Sequence, residues 1–321
     1  MKISVIIPVR NRAREVREAI ASALAQTLAP AEIIVVDDGS TDDTAAAVAA
    51  FNDRVKLIRQ EQKGAAAARN RGAKAACGDW LAFLDSDDLW LPAKLAEQAA
   101  AVKDNPRAGL VHTDGWVITG RDASKLEKAS TGQAPTDAPP THFSRFQPAR
   151  GPDALVTYLG NPMLTPSVMI SREAFERAGG FDESFTINED ADLFVRVMAS
   201  RYETVYADKP LVIVRTLQDG IKRTWMEGMR AAIRVQKKAL AQFPALRRVF
   251  RAALAQSHRS AAQCALVQAT KSESIRFWLK SFTYRRPSWK EIAVAVLLVA
   301  GGEPGKKRVM RHWKNVIARY Q

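Results

Sequence analysis

The octapeptide Phe83-Leu84-Asp85-Ser86-Asp87-Asp88-Leu89-Trp90 places three carboxylates within four positions, directly behind the apolar run Trp80 to Leu84. Anions a few ångströms apart raise one another's pKa unless a cation compensates them. Hard divalent ions such as Mg2+ and Mn2+ take carboxylate oxygens, keep several waters and are completed by substrate phosphates, so Asp85-Ser86-Asp87 suits a metal-bound diphosphate. Acidic turn residues capping a helix after Leu89 would give the same local pattern. Other polar groups follow apolar runs in the same manner: Pro8-Val9-Arg10 ends KISVIIPVR, and Asp37-Asp38 ends EIIVVDD. Asp38 could accept the N3–H of a uracil, and the backbone at Pro8 could flank its ring. Arg69, in Ala68-Arg69-Asn70-Arg71-Gly72, carries a fork suited to a phosphate or a base carbonyl. Each alone is compatible with a turn or a surface position.

These groups need elements that bring them together. Lys2–Val9, Glu32–Val36, Arg54–Arg59 and Trp80–Leu84 are short, apolar and rich in β-branched residues, as strands are. Between them lie helical patterns at Glu15–Gln26, Thr44–Phe51 and Gly64–Cys77. Strands alternating with helices give βαβ units, hence a mostly parallel sheet with helices on both faces. Ligands in such sheets bind outside the carboxyl ends of the strands, and Pro8 to Arg10, Asp37-Asp38 and Asp85 to Asp87 all fall there. Further on, 120–152 reads as a long loop with five prolines, Ser171–Ala178 and about Asp190–Ser200 as helices, and Tyr202–Val214 as a strand. The remainder reads as four or five helical pieces broken at Pro244, Pro287 and Gly301-Gly302.

The chain has 321 residues, 47% of them hydrophobic, enough for one large domain or two. Its two cysteines, Cys77 and Cys264, offer neither metal-ligand spacing nor a disulfide framework. No run reaches the roughly 18 to 20 apolar residues that span a bilayer, and the N-terminus lacks the pattern of a secretory signal. A cytoplasmic protein is expected, soluble or peripheral on the inner face of the membrane. Its charge is uneven. From Arg215 onward there are 23 Lys and Arg against 5 Asp and Glu, a net +18, whereas the residues before it carry −4 of the formal +14. That asymmetry predicts an anionic partner for the C-terminal part, or else a solvated basic helical surface.

The ordered runs VIIPVRNR, IIVVDDGSTDDT, GAAAARNRGAKAACGDWLAFLDSDDLW and GGFDESFTINEDADLFVRV resemble the family-2 glycosyltransferases, over about Lys2 to Val214. The resemblance implies a GT-A type, Rossmann-like α/β fold over 1–214, with 215–321 as a basic helical extension. It also implies an inverting, metal-dependent hexosyltransferase that uses a nucleotide diphosphate sugar. Residue by residue, it puts Pro8 and Asp38 at the nucleoside base, Arg69 at the nucleotide, and Asp85 toward the ribose and diphosphate. Asp87 would bind Mn2+ or Mg2+, and Asp190 would be the catalytic base. Asp88 would support its loop or the helix after it. Arg10 joins the nucleotide-contacting set, although the family often has an aromatic residue there. A histidine common after the strand that follows the Glu-Asp helix is replaced here by Arg215-Thr216-Leu217-Gln218, which leaves Arg215 as a cation for the leaving diphosphate.

The expected donor is UDP-linked, the acceptor a glycan or lipid-linked hydroxyl, and the setting cell-surface glycan, lipopolysaccharide or exopolysaccharide synthesis. In 289–314 a short apolar helix, two tryptophans and a cationic cluster could lie on an anionic membrane surface, or the apolar part could be core. Nucleic acid is not an expected partner. A phospho-acceptor receiver with a basic nucleic-acid-binding output region would carry its acidic pair on the first strand, which here reads Ser4-Val5-Ile6-Ile7. A nucleotidyltransferase of related fold would want a Gly-rich phosphate loop where this chain has PVRNRAR.

Overall fold

The computed structural model describes residues 1–103, 105–119, 155–156, 158–159, 163–200, 202–216, 225–268 and 271–300. The expected loop at 120–152 and the cationic cluster after residue 300 lie outside these residues. The chain divides into two compact units, Met1–Ile221 and Lys222–Gln321.

In the first unit the strands are β1 (Ile3–Val9), β2 (Glu32–Asp38), β3 (Lys56–Gln60), β4 (Trp80–Phe83), β5 (Leu89–Trp90), β6 (Ala108–Thr119), β7 (Val168–Ser171) and β8 (Glu203–Thr216). They form one sheet in the order β3-β2-β1-β4-β7-β6-β8-β5. Pairings among β1, β2, β3 and β4 are parallel, as is β6 with β8, whereas β7 runs antiparallel to both neighbours and β5 antiparallel to β8. The helices are α1 (Ala13–Leu24), α2 (Thr44–Ala49), α3 (Ala65–Ala75), α4 (Lys94–Lys103), α5 (Arg172–Ala178) and α6 (Glu189–Met198).

Both faces of the parallel half are covered, as the apolar strands require. Ile3, Val5 and Ile7 of β1 pack with Val16, Ala19 and Ile20 of α1, while Ile34 and Val36 of β2 pack with Ala68 of α3. The alanines of α3 let it lie close to the sheet. A Cβ at Gly72 would stand 2.5 Å from Cγ2 of Ile6 and 3.3 Å from Cγ2 of Val36.

The acidic turn does not cap a helix directly after Leu89, the alternative its pattern left open. Leu89 and Trp90 pair with Ile213 and Val212 as a strand, and helix α4 begins only at Lys94. Sequence patterning also missed β6, because buried His112, Thr113 and Asp114 interrupt its apolar run.

In the second unit the described residues form the helices α7 (Trp225–Gln242), α8 (Arg247–Gln268), α9 (Lys271–Tyr284) and α10 (Trp289–Ala300), with breaks at Pro244 and before Trp289 as read from the prolines. Their cores are small: Ile233, Leu254 and Ala261 form one, and Ala262, Leu266 and Trp278 another, against which Val294 of α10 packs.

Gly72→Ala drives a methyl into a buried β-branched neighbour, so it should destabilise the first unit by about 1–3 kcal/mol. Urea unfolding of wild type and variant measures this, and an unchanged midpoint would contradict the close approach of α3.

Candidate active site

The carboxyl ends of β1, β2 and β4 end level with one another. Pro8 pairs with Val36, Val9 with Asp37 and Ile6 with Phe83, and the Leu84 amide extends the ladder by donating to the Ile6 carbonyl at 3.0 Å. This register brings Pro8, Asp38 and Asp85 to one edge. Pro8 is buried and Arg10 is exposed to solvent.

Each carboxylate at this edge has a distinct set of partners. Asp38 is buried and accepts from Gln60 Nε2 at 2.7 Å and from the Lys63 and Gly64 amides at 2.8 Å each. It thereby fixes the chain entering α3. Asp37, also buried, accepts from the Ser40 amide and from Arg59 Nε. Asn11, in left-handed backbone at φ 51°, accepts from the Thr41 amide at 2.8 Å, stitching the loop after β1 to the loop after β2.

Arg69 lies on the inner face of α3 and is 5% exposed. Its Nη2 donates to Asp85 Oδ1 at 2.6 Å and its Nη1 to Glu189 Oε1 at 2.9 Å. Burial by itself would lower the guanidinium's pKa, but the charges of Asp85 and Glu189 outweigh it and hold the cation firmly. Asp88 turns away from this group: it is buried and accepts from the Arg215 amide at 2.8 Å, joining the acidic turn to the end of β8. The Arg215 side chain donates to the Asp87 carbonyl and pairs with Glu18 of α1. Asp87 is half-buried. Burial, and then the charge of Asp85, raise its pKa, against the opposing pull of Arg12 and Arg215. A divalent cation would relieve both effects, and the hard oxygens of this carboxylate suit one. Among the described residues no group of three His, Cys, Asp or Glu is placed to hold a metal ion.

The second acidic motif reaches the same place from far along the chain. Gly180, at φ +68°, turns the backbone after α5, and a Cβ there would meet Asn70 Oδ1 at 2.8 Å. Asn70 instead accepts from the Phe181 amide and donates to the Phe181 carbonyl, both at 2.9 Å. Asn188, in left-handed backbone at φ 60°, then starts α6, so Glu189 and Asp190 occupy its first turn, where the helix dipole favours anions. Asp190 Oδ2 accepts from Thr165 Oγ1 at 2.8 Å and Oδ1 from the Ala191 amide at 2.7 Å. Burial, and then the charge of Glu189, push the Asp190 pKa up, while Arg69, Thr165 and the Ala191 amide moderate the rise. The result is a carboxylate more basic than one in water, as proton abstraction requires.

Sequence reasoning missed Thr165 and Glu18. Thr165 sits in a short 3-10 turn, Thr165–Ser167, held by Trp90 Nε1 donating to the Pro166 carbonyl and Gln98 Nε2 to the Ser167 carbonyl. No local pattern marks either residue, because each acts through a partner distant in sequence.

A family model described as "Glycosyl transferase family 2" matches residues 4–158. The chain belongs to glycosyl transferase family 2. This family-2 chain is 30% identical over 222 residues to the "Uncharacterized glycosyltransferase RT0329" of Rickettsia typhi, covering 68% of this chain and 64% of that one. It is 44% identical over 105 residues to the Escherichia coli "UDP-Glc:alpha-D-GlcNAc-diphosphoundecaprenol beta-1,3-glucosyltransferase WfgD", covering 32% of this chain and 42% of that one. The chain thus spans less than two thirds of the length of these curated relatives. Among solved structures, that of Staphylococcus aureus TarS residues 1–349 in complex with UDP-GlcNAc superposes with a TM-score of 0.67 at 18% identity, covering 96% of this chain and 89% of that one. The fold is therefore of the GT-A type: a mixed α/β sheet flanked by helices, followed by a helical region.

Thr165→Val removes a hydrogen bond that favours the ionised form of Asp190, so the Asp190 pKa rises further and the acid limb of the transferase pH profile should move to higher pH. A profile that stays in place, or moves down, would detach Asp190 from the titration that limits the rate.

Proposed function

We propose that the protein is an inverting glycosyltransferase that moves a sugar from a UDP-linked donor to an acceptor hydroxyl in cell-surface glycan synthesis. One observation carries this reading. A half-buried carboxylate of raised basicity, Asp190, lies in the first turn of a helix that a single arginine joins, through Glu189, to Asp85 at the carboxyl edge of the parallel strands. Inversion needs one base on the acceptor side and a stabilised leaving group on the other. Asp190 takes the acceptor proton. Pro8, Arg10 and Asp38 border the base, with Asp38 also bracing the loop into α3. Asp85, steadied by Arg69, faces the ribose and diphosphate. Asp87 is the residue that would hold a Mn2+ or Mg2+ ion, which would supply Lewis-acid charge to the departing diphosphate. Arg215 adds a second cation beside that turn.

The activity named for WfgD, with UDP-glucose as donor and a diphosphoundecaprenol-linked acceptor, supports a UDP donor and a lipid-linked acceptor for this chain. A membrane-surface placement fits such an acceptor. No described helix is long and apolar enough to cross a membrane. Helix α10, however, packs one side through Val294 while Trp289, Ile292 and Val296, spaced on one face, are 73%, 47% and 56% exposed. An apolar stripe with a tryptophan, on a unit of strong positive charge, suits the interface of an anionic bilayer.

With UDP-sugars, a GlcNAc-diphosphoundecaprenol acceptor and Mn2+, release of UDP should depend on acceptor and stop on chelation. Asp190→Asn should lower that release by about 10²-fold or more while calorimetric UDP binding survives; unchanged turnover would remove Asp190 from the base role. Separately, the protein should co-sediment with phosphatidylglycerol vesicles at low salt and be released at high salt. Equal recovery with neutral vesicles and no salt effect would refute the electrostatic surface.

A further inference from the structure

Glu189 is not the proposed base, yet it pairs with Arg69 between the two halves of the site. Arg69 spends its terminal nitrogens on carboxylates from two segments, Asp85 after β4 and Glu189 at the start of α6, and Phe181 lies 5.4 Å from the guanidinium carbon. Its Nε has no acceptor among the described residues, so these two ion pairs are the guanidinium's main restraint. The next residue of α3, Asn70, brackets the Phe181 backbone and donates to Glu183 Oε1 at 2.9 Å. Adjacent positions on one short helix therefore hold the donor-side carboxylate and the segment that leads into the base helix.

We propose that Arg69 and Glu189 form a positioning pair that links occupancy of the donor side at Asp85 to the placement of Asp190 at the start of α6. The inference rests on the reading of Asp85 as donor-facing. A buried guanidinium shared between two anions is sensitive to either one, because the low local dielectric magnifies each interaction. A ligand that engages Asp85 draws that carboxylate partly away from Arg69, and the remaining Arg69–Glu189 pair then carries more of the attraction. Glu189 and Asp190 are neighbours in the first turn of α6, so a firmer hold on one restrains the other. Thr165 supplies the opposite wall by donating to Asp190. By linkage the effect is reciprocal: an acceptor that steadies α6 also favours the donor.

Amide hydrogen exchange with UDP and Mn2+ as the probe tests this without knowing the acceptor. In the wild type, UDP should slow exchange around 85–88 and also at 189–193, the latter by about fivefold, a modest coupling. In Glu189→Gln the slowing at 189–193 should vanish while that around 85–88 remains. Glu189→Asp, which keeps the charge but falls short of the guanidinium, should behave alike and serves where Glu189→Gln does not fold. UDP binding that leaves 189–193 unchanged in the wild type, or protection there that survives both variants, would overturn the pair alone. Failure of UDP to bind the wild type would overturn the donor reading and the pair together.

Discussion

A buried arginine makes the carboxylate crowding at this sheet edge tolerable. Asp85 and Glu189 come from distant parts of the chain, and Asp87 and Asp190 stand beside them in sequence. Without Arg69 between them, the charges would repel across a partly desolvated gap. The choice of arginine matters. Lys94, buried in the same unit against the Trp90 ring and donating to Gln98, meets no acid among the described residues, and burial drives its pKa well down. Arg69 keeps its proton in a comparable setting because guanidinium is intrinsically far more basic and two carboxylates surround it. Removing either partner of such a group leaves a buried charge uncompensated, which is why the cluster holds together as a unit.

Much of the surrounding structure can be understood as access for that arginine. The alanines of α3 and Gly72 bring the helix against β1 and β2, close enough for Arg69 to reach the strand ends from within. Asp38 fixes the approach to α3 through the Lys63 and Gly64 amides, and Asn70 clamps the turn at Gly180. The three acids of the opening turn then separate by partner: Asp85 to Arg69, Asp88 to the amide of Arg215, and Asp87 left half-buried between cations. An apparent surplus of charge becomes a division of labour.

The second unit follows a different physical logic. Its helices bury small apolar clusters and leave the net positive charge at the surface, and α10 is apolar on both its packed and its exposed side. A helix apolar all round is ordinarily enclosed. Here one side, with Trp289, Ile292 and Val296, is open among the described residues.

Strand and helix periodicity, with turn chemistry at Asp37 to Asp43 and Gly179-Gly180, made the parallel half of the sheet legible from residue order alone, and the four ordered motifs made the family legible. These are local signals, set by backbone propensity and by spacing within a single element. Strand β6 was not legible because its buried polar residues break the apolar pattern and find partners only across the sheet, as Tyr206 and Asp114 do. Nor was Leu89-Trp90 as a strand, since two residues acquire that identity only by pairing with Val212 and Ile213. The residue types at the site were likewise readable, but not their assignments. That Arg69 joins Asp85 to Glu189, that Thr165 holds Asp190, and that Asp88 serves Arg215 are decisions of the tertiary structure, because each depends on contacts between segments whose spacing in sequence carries no record of their meeting in space.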